Sequence, residues 1–132
     1  MRRLALFAVL LGVCTITHAN DEFYTARFSS CMDQAGGVTV EMLGCIGEEL
    51  STQDARLNGA YQKKLRSQLS SDRKKALQSA QRLWIQYRDA NCDFYHDPEG
   101  GTLHRVMAAD CVLRETAERA KELEGLAEFK SL

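Results

Sequence analysis

The segment that ends at Cys92 places an aromatic ring, a fixed positive charge and a sulfur atom at intervals of four residues. Trp84 is the only tryptophan of the chain, and it is followed by Arg88 and then by Cys92. Residues four apart lie on the same face of an α-helix, so these three side chains should point in one direction. Such a stripe can anchor a helix through ring stacking and a disulfide bond, which an ordinary apolar seam does not do.

The arginine of this stripe could bind a partner or stabilise the protein's own interior. A partly buried guanidinium is seldom left unpaired, so we expect Arg88 to stack on a ring or to pair with a carboxylate such as Asp54 or Asp110. The amide groups of nearby asparagines would satisfy further polar partners. The polar core expected from the sequence comprises Asp54, Asn58, Trp84 and Arg88.

Four of the five cysteines follow residue 20, namely Cys31, Cys45, Cys92 and Cys111. An even number of cysteines in a small exported protein is typical of a disulfide framework, for which three pairings are possible. Each pair of sequence neighbours flanks a predicted turn. We therefore expect Cys31 to pair with Cys45 and Cys92 to pair with Cys111, because each bond would then clamp one turn.

Two chemical alternatives involve the same cysteines. Cys92, His96, His104 and Cys111 offer two sulfurs and two imidazoles, a set that zinc accepts, but their spacing is loose and includes no Cys-x-x-Cys pair. A catalytic thiol needs a neighbouring base and a reduced state, which export disfavours. The acidic residues have the spacing of solvated helix faces and form no separated acid and base pair. The sequence thus predicts no metal, no cofactor and no enzymatic activity.

A polar segment from Asp93 to Arg105 carries the best candidates for partner binding. It combines aromatic rings, two imidazoles, acidic groups and a double glycine between two predicted helices. Its polar side chains could form hydrogen bonds with a partner molecule. The alternative is that the segment only joins two helices. The predicted partner-binding residues are His96, Asp97, Thr102, His104 and Arg105.

The first residues have the organisation of an export signal. A basic start precedes an apolar run and a small-residue segment that ends at Ala19, so residues 1–19 are predicted to be a cleaved signal peptide and residues 20–132 a single domain. The apolar run is shorter than the ~20 residues that a membrane span requires. Cys14 resembles a lipoprotein processing site, but Val13 stands where a small residue is expected. We therefore predict a periplasmic protein without a lipid anchor.

The charge balance limits the classes of partner. The chain has 17 Lys and Arg against 18 Asp and Glu, and loss of Arg2 and Arg3 with the signal would make it slightly more acidic. A nucleic-acid-binding protein favours a concentrated basic patch, and an anionic membrane favours a basic surface. The composition therefore argues against nucleic acid, gives no tendency toward an anionic membrane, and is compatible with a basic protein partner.

The remaining pattern predicts helices that would position these side chains. Three long segments without proline are rich in good helix formers, and a shorter segment precedes them. The predicted segments are Val40–Leu69, Asp72–Tyr95 and Thr102–Phe129, with Asp21–Met32 as the short one. The short link at Ser70 should make the first two long helices antiparallel neighbours. The predicted fold is all-α: a small, disulfide-stapled antiparallel bundle of three long helices and a short N-terminal one.

Each long helix has a predicted buried face, and its start has a predicted cap. Thr39, Ser70 and Thr102 are the candidate caps. The first helix should bury Leu43, Ile46, Leu50, Leu57, Tyr61, Leu65 and Leu69. The second should bury Leu77, Ala80, Trp84, Tyr87 and Asn91, with Leu83 on its flank. The third should bury Leu103, Val106, Met107, Leu113, Ala117, Ala120, Leu123 and Leu126.

Taken together, these residues resemble the family of the lysozyme inhibitor LprI N-terminal domain. The resemblance runs from about Cys31 to Leu123, and its most specific part is Gln81-Arg82 with Trp84, followed by Arg88-Asp89-Ala90 and Cys92. The other matching residues are Cys45, Asp54, Leu57, Asn58, Tyr61, Leu65, Leu69, Ala80, Tyr87, Gly100, Gly101, Thr102, Cys111, Thr116, Arg119 and Leu123.

The resemblance implies an exported, disulfide-bonded helical protein without chemistry of its own, whose partner in the cell envelope would be a lysozyme. A non-inhibitory accessory or immunity-type protein of the envelope is the alternative function.

Overall fold

The computed structural model describes residues 23–128, which form four α-helices. The predicted signal peptide, Cys14 and the predicted helix end at Phe129 lie outside the described residues. Within residues 23–128 no helix has the length and apolar character needed to cross a membrane. The helices are α1 (Ala26–Ala35), α2 (Thr39–Leu65), α3 (Ser71–Asp93) and α4 (Thr102–Glu128). The all-α prediction is confirmed.

Two disulfide bonds join sequence neighbours, as predicted. The Sγ atoms of Cys31 and Cys45 are 1.95 Å apart, and those of Cys92 and Cys111 are 2.06 Å apart. The first bond ties α1 to α2 across a turn at Gly36, whose φ of 53° is in the left-handed region that favours glycine. The second bond ties the end of α3 to α4. Each disulfide therefore closes the turn between two consecutive helices.

The two most closely packed helices are α2 and α4, which run parallel. Near their starts, the hydroxyl of Thr39 lies 3.3 Å from that of Thr102. Near their ends, Lys64 Nζ donates to the Leu126 carbonyl oxygen over 2.7 Å. In the sequence α3 lies between α2 and α4, and it runs in the opposite direction. The three long helices therefore have an up-down-up course.

The helix α3 packs mainly on α4, and not on α2 as the short link predicted. The Cys92–Cys111 bond holds one end of α3 against α4, while Arg119 of α4 contacts Gln81 nearer the other end. A short link reverses the direction of the chain, but the neighbour of a helix is chosen by the side chains that its buried face meets. The predicted opposite directions of α2 and α3 are observed, and their predicted close pairing was wrong.

The core consists of two apolar clusters between α2 and α4. One is closed by Trp84 from α3, and the other by Phe28 from α1. The predicted stripe of α2 is partly correct, since Ile46 and Leu57 are buried while Leu69 lies beyond the helix end. The buried clusters are Leu57, Ala60, Ala120 and Leu123, and Ile46, Val106 and Leu113.

The buried face of α3 agrees only in part with the predicted one. Leu77 and Trp84 pack against the core as expected, and Asn91 is half-buried. Tyr87 and Leu83 are 57% and 63% exposed, and Ala80 is also exposed. Gln81 and Cys92 are buried instead. The disulfide turns Cys92 inward, and the positions four and eight residues before it follow on the same side of the helix. On α4, Leu103 and Met107 are likewise exposed and not buried as expected.

The helix starts show which polar residues act as caps. Ser70 caps α3, since its hydroxyl accepts from the Arg73 backbone N–H, as predicted. Thr25 caps α1 in the same way, so that helix begins later than expected. Thr39 and Thr102 are instead the first residues of α2 and α4, a displacement of one residue, which is within the usual uncertainty of a helix boundary.

Candidate functional site

The polar segment between α3 and α4 is held in one shape from both ends. The Cys92–Cys111 bond closes it at its base. On the α4 side, His104 Nδ1 donates to the backbone carbonyl oxygen of Tyr95 over 3.3 Å. The imidazole also packs on Gly100, where an added Cβ would lie 2.3 Å from the ring. Glycine at this position therefore leaves the space that the His104 ring occupies.

Hydrogen bonds within the segment complete its shape. Asp97 Oδ1 accepts from the Glu99 backbone N–H over 2.9 Å, and the Asp97 carbonyl oxygen accepts from the Gly100 N–H. Gly101 has a φ of 77°, a conformation that L side chains rarely adopt. The turn before α4 is thus determined by its own backbone bonds and by two glycines.

Three of the five predicted binding residues meet at an open depression at this end of the bundle. His96, Asp97 and His104 line it together with aromatic and apolar side chains, and its volume is about 570 Å³. Thr102 and Arg105 do not line it, but both are exposed in the first turn of α4. The predicted residues therefore lie near one end of the bundle, where His104 is half-buried.

Several apolar residues of this end were not among the predicted partner-binding residues, although Phe94 and Leu103 lie within the predicted segment. Phe94 is 83% exposed, Leu103 is 61% exposed and Met107 is 41% exposed. Val40 of α2 is 74% exposed and follows Thr39, which contacts Thr102. We call the loop-end surface the set Val40, Phe94, Tyr95, His96, Asp97, Thr102, Leu103, His104, Arg105 and Met107.

The predicted polar core has a different composition in the structure. The Arg88 guanidinium lies 5.2 Å from the centre of the Trp84 ring and donates to the Thr116 hydroxyl and to Asp89. Asp54 is half-buried, and Asn58 is exposed. Asn58 therefore does not belong to a buried layer, because its position on α2 faces solvent. The carboxylate partner of Arg88 is its sequence neighbour and not Asp54 or Asp110.

A second tryptophan contact was also not expected. Arg119 of α4 lies 5.9 Å from the centre of the Trp84 ring, and its Nε donates to the buried Gln81 over 3.0 Å. Two guanidinium groups thus reach one indole ring. The arrangement fixes α3 on α4 and leaves the Trp84 stripe with a stabilising role.

A buried polar cluster between α1 and α2 escaped the sequence analysis altogether. Glu49 and Gln53 are 3% and 1% exposed. Glu49 accepts from the backbone N–H and the hydroxyl of Thr25 and from the Gln53 amide. Gln53 in turn accepts from Arg56, which pairs with Glu124 of α4. The cluster joins α1, α2 and α4.

The environment of Glu49 favours its charged form. Burial acts to raise the pKa of the Glu49 carboxyl, but the hydrogen bonds from Thr25 and Gln53 outweigh burial and hold this pKa below its ordinary value. These hydrogen bonds occupy the oxygen atoms of the carboxylate, so the Glu49 side chain has a structural role. The cluster stabilises the docking of α1.

In this structure the two cysteines of the zinc hypothesis are not available as metal ligands. Cys92 and Cys111 form a disulfide and so provide no thiolates. Over residues 23–128, no three His, Cys, Asp or Glu side chains are grouped as metal ligands.

Comparison with known proteins supplies a family match. The family model described as lysozyme inhibitor LprI matches residues 31–123, a range that includes both disulfides and the segment between α3 and α4. An uncharacterized protein of Rhizobium meliloti (strain 1021) is 28% identical over 97 residues, covering 64% of this chain and 70% of that protein. No solved structure matches the chain significantly.

Proposed function

The chain belongs to the lysozyme inhibitor LprI family, and on that basis we propose that it is an exported, periplasmic protein that binds a lysozyme and inhibits it. The loop-end surface is the part of the molecule that makes the contact. The proposal involves binding alone, with no chemical step by this chain.

The observation that carries the proposal is the rigid presentation of polar groups at the loop end. A lysozyme cleft is lined by two catalytic carboxylates. His96 and Arg105 are exposed donors that can pair with such carboxylates. The Cys92–Cys111 bond and the His104 contact with Tyr95 restrict the segment before any partner arrives. Less ordering entropy is then lost on binding.

Apolar side chains beside these donors support the same assignment. Phe94 and Leu103 are largely exposed to solvent, and Met107 is 41% exposed. Aromatic, Met and Arg side chains are enriched at the centres of protein interfaces, where they supply most of the binding energy. Apolar groups flanking the polar donors can bury area against the partner and exclude water from the charged contacts.

The two disulfides support export as part of the proposal. Disulfides form and persist in oxidising compartments such as the periplasm, and they are rare in the cytosol. Together they link α1 to α2 and α3 to α4. Removal of residues 1–19 as a signal peptide is the corresponding processing step.

The test compares arginine and histidine variants in an assay of lysozyme on cell-wall substrate. His96→Ala and Arg105→Ala should each weaken inhibition by about tenfold, the effect of losing about 1.4 kcal/mol at an interface. Arg66→Ala is the matched control, because Arg66 is exposed at the other end of α2, a helix about 40 Å long. Far-ultraviolet circular dichroism should be the same for all variants.

Two outcomes would contradict the proposal. One is equal inhibition by all three variants and the parent protein, which would remove the loop-end surface from the interface. The other is release of wall fragments by this protein when lysozyme is omitted, which would identify a hydrolase instead of an inhibitor.

A further inference from the structure

A second apolar surface lies along the solvent side of α3, away from the buried stripe. We call it the α3 outer face. Its large members Leu83, Tyr87 and Phe94 are 63%, 57% and 83% exposed, and its alanines are exposed as well. Its residues follow one another at intervals of four and three: Ala76, Ala80, Leu83, Tyr87, Ala90 and Phe94.

Alternating intervals of four and three are the spacing with which one helix packs along another in a coiled coil. The inward side of α3 has its own contacts with α4, through Gln81, Trp84 and Cys92. The outer face is therefore additional to the packing of the bundle. Single exposed apolar residues are common on protein surfaces, whereas a continuous row of this length indicates a binding partner.

We propose that the α3 outer face is the interface of a symmetric dimer, in which α3 of one protomer packs antiparallel to α3 of a second copy. Phe94 belongs both to this face and to the loop-end surface, but the argument for the dimer does not rest on lysozyme inhibition. An interface of this kind uses the same surface on both protomers, so the surface must be complementary to itself.

The sizes of the side chains on the outer face fit this arrangement. With the two-fold axis level with residue 85, midway between Leu83 and Tyr87 along the face, each large residue of one copy meets a different position of the other. Leu83 then lies opposite Tyr87 of the second copy. Phe94 lies opposite Ala76, so a large ring at one end meets a small side chain at the other. In a parallel pair, each large side chain would instead face the same residue of the second copy.

The charges along α3 favour the same antiparallel direction. Residues 73–75 are Arg-Lys-Lys, with Asp72 as the single acid before them, whereas the other end carries Asp93 and is followed by Asp97 and Glu99. In an antiparallel pair the basic end of each helix approaches the acidic end of the other. In a parallel pair the like charges would face one another and disfavour association.

Sedimentation equilibrium of the oxidised protein, purified from the periplasm of an expression host, tests the proposal over a dilution series. We expect a mass twice that of the monomer, falling to the monomer mass on dilution. Leu83→Glu should weaken association at least about tenfold, because it places two carboxylates in the centre of the interface. Ile85→Glu is the matched control: Ile85 is 40% exposed on another side of the same helix, so this variant should associate like the parent.

Cysteine cross-linking tests the direction of the pair separately from folding. Ala80 and Ala90 lie opposite one another in the antiparallel arrangement, so a mixture of Ala80→Cys and Ala90→Cys proteins should form a covalent dimer. Either variant alone should form little. Mass mapping checks that the two native disulfides are retained in the variants.

Three results would overturn the proposal. The first is a monomer at every concentration. This result would overturn the proposal both if the face is exposed to solvent and if other parts of the same chain cover it. The second is dimerisation of Leu83→Glu as tight as that of the parent, which would place the interface elsewhere. The third is efficient cross-linking of Ala80→Cys alone, which would indicate a parallel pair.

Discussion

Replacement of Glu49 by alanine should destabilise the protein far more than replacement of its neighbour Glu48. The Glu49 carboxylate is buried and accepts three hydrogen bonds, two from Thr25 and one from Gln53. Alanine would remove all three and leave the buried Gln53 amide with fewer partners. The contact that holds the start of α1 against α2 would then be lost, although the Cys31–Cys45 bond would keep the helices linked.

The size of the effect follows from the kind of hydrogen bond. A hydrogen bond to a charged group contributes about 1.5–3 kcal/mol net, and bonds to one shared acceptor are not additive. We therefore expect Glu49→Ala to lower the free energy of unfolding by about 3 kcal/mol. With a urea m-value of about 1.5 kcal/mol/M, the unfolding midpoint would fall by about 2 M.

Urea unfolding followed by circular dichroism measures this change, and Glu48→Ala is the control. Glu48 pairs with Arg27 on the surface, where the two side chains are 61% and 82% exposed. Exposed ion pairs contribute little to stability because solvent screens them. If the two variants unfold at the same urea concentration, the buried cluster does not have the stabilising role inferred from its geometry.

The contribution of Glu49 should also depend on pH. The pKa of its carboxyl in the folded protein is lower than the ordinary value of 4.5, so folding favours the charged form. The stabilisation is therefore complete above that ordinary value and is lost as the pH falls through the folded-state pKa. The difference in stability between the parent protein and Glu49→Ala should narrow over the same range. A difference that widened in acid would contradict this sign.

Two further substitutions separate stability from binding. Arg88→Ala removes the guanidinium that stacks on the indole and should lower the free energy of unfolding by about 1–2 kcal/mol. Arg82→Ala is the control, because Arg82 is exposed and its loss should leave the free energy of unfolding unchanged. Equal melting temperatures of the two variants would contradict the stacking role of Arg88. Gly100→Ala places a methyl group against the His104 ring and should weaken lysozyme inhibition with little loss of helix. Gly59→Ala is the control, because its Cβ would meet open space within α2, and it should leave inhibition unchanged. Unchanged inhibition by Gly100→Ala would show that the position of the His104 ring does not affect binding.

The sequence was informative where local chemistry decides the structure. Proline-free segments rich in helix formers became helices, and Ser70 became a cap, because these preferences act over a few residues. The pairing of Cys31 with Cys45, and of Cys92 with Cys111, followed from their positions on either side of turns. Such features depend little on what the rest of the chain does.

The buried polar cluster could not be found in the same way. Apolar spacing on α2 identified Ile46 and Leu57, but nothing in the sequence beside Glu49 shows that its partner is Thr25, which lies before α1. A polar residue is tolerated in the interior only when a distant segment supplies its hydrogen bonds. Its burial is therefore a property of the tertiary structure.

The orientation of α3 shows a second limit. The helix has two rows that could face inward, one with Trp84 and Cys92 and another with Leu83 and Tyr87. Apolar periodicity alone does not separate them, and the predicted buried face wrongly included Ala80 and Tyr87 beside Trp84. The disulfide was the available signal, since a cysteine bonded to α4 must face it.

The candidate site was predicted from a concentration of polar residues in one segment. The structure brings His96 and His104 to one depression, as that composition indicated, but the exposure of Leu103 and Met107 was not foreseen. In the sequence these residues continue the apolar stripe of α4. The stripe extends beyond the end of the buried core, so its first residues remain exposed.

The most direct test of the central claim is a titration of purified lysozyme with the purified oxidised protein, followed by the rate of cell-wall hydrolysis. We predict that the rate falls in proportion to added protein until one chain is present for each binding site, and then stays low. An unchanged rate at several-fold molar excess would contradict inhibition and favour a non-inhibitory protein of the cell envelope.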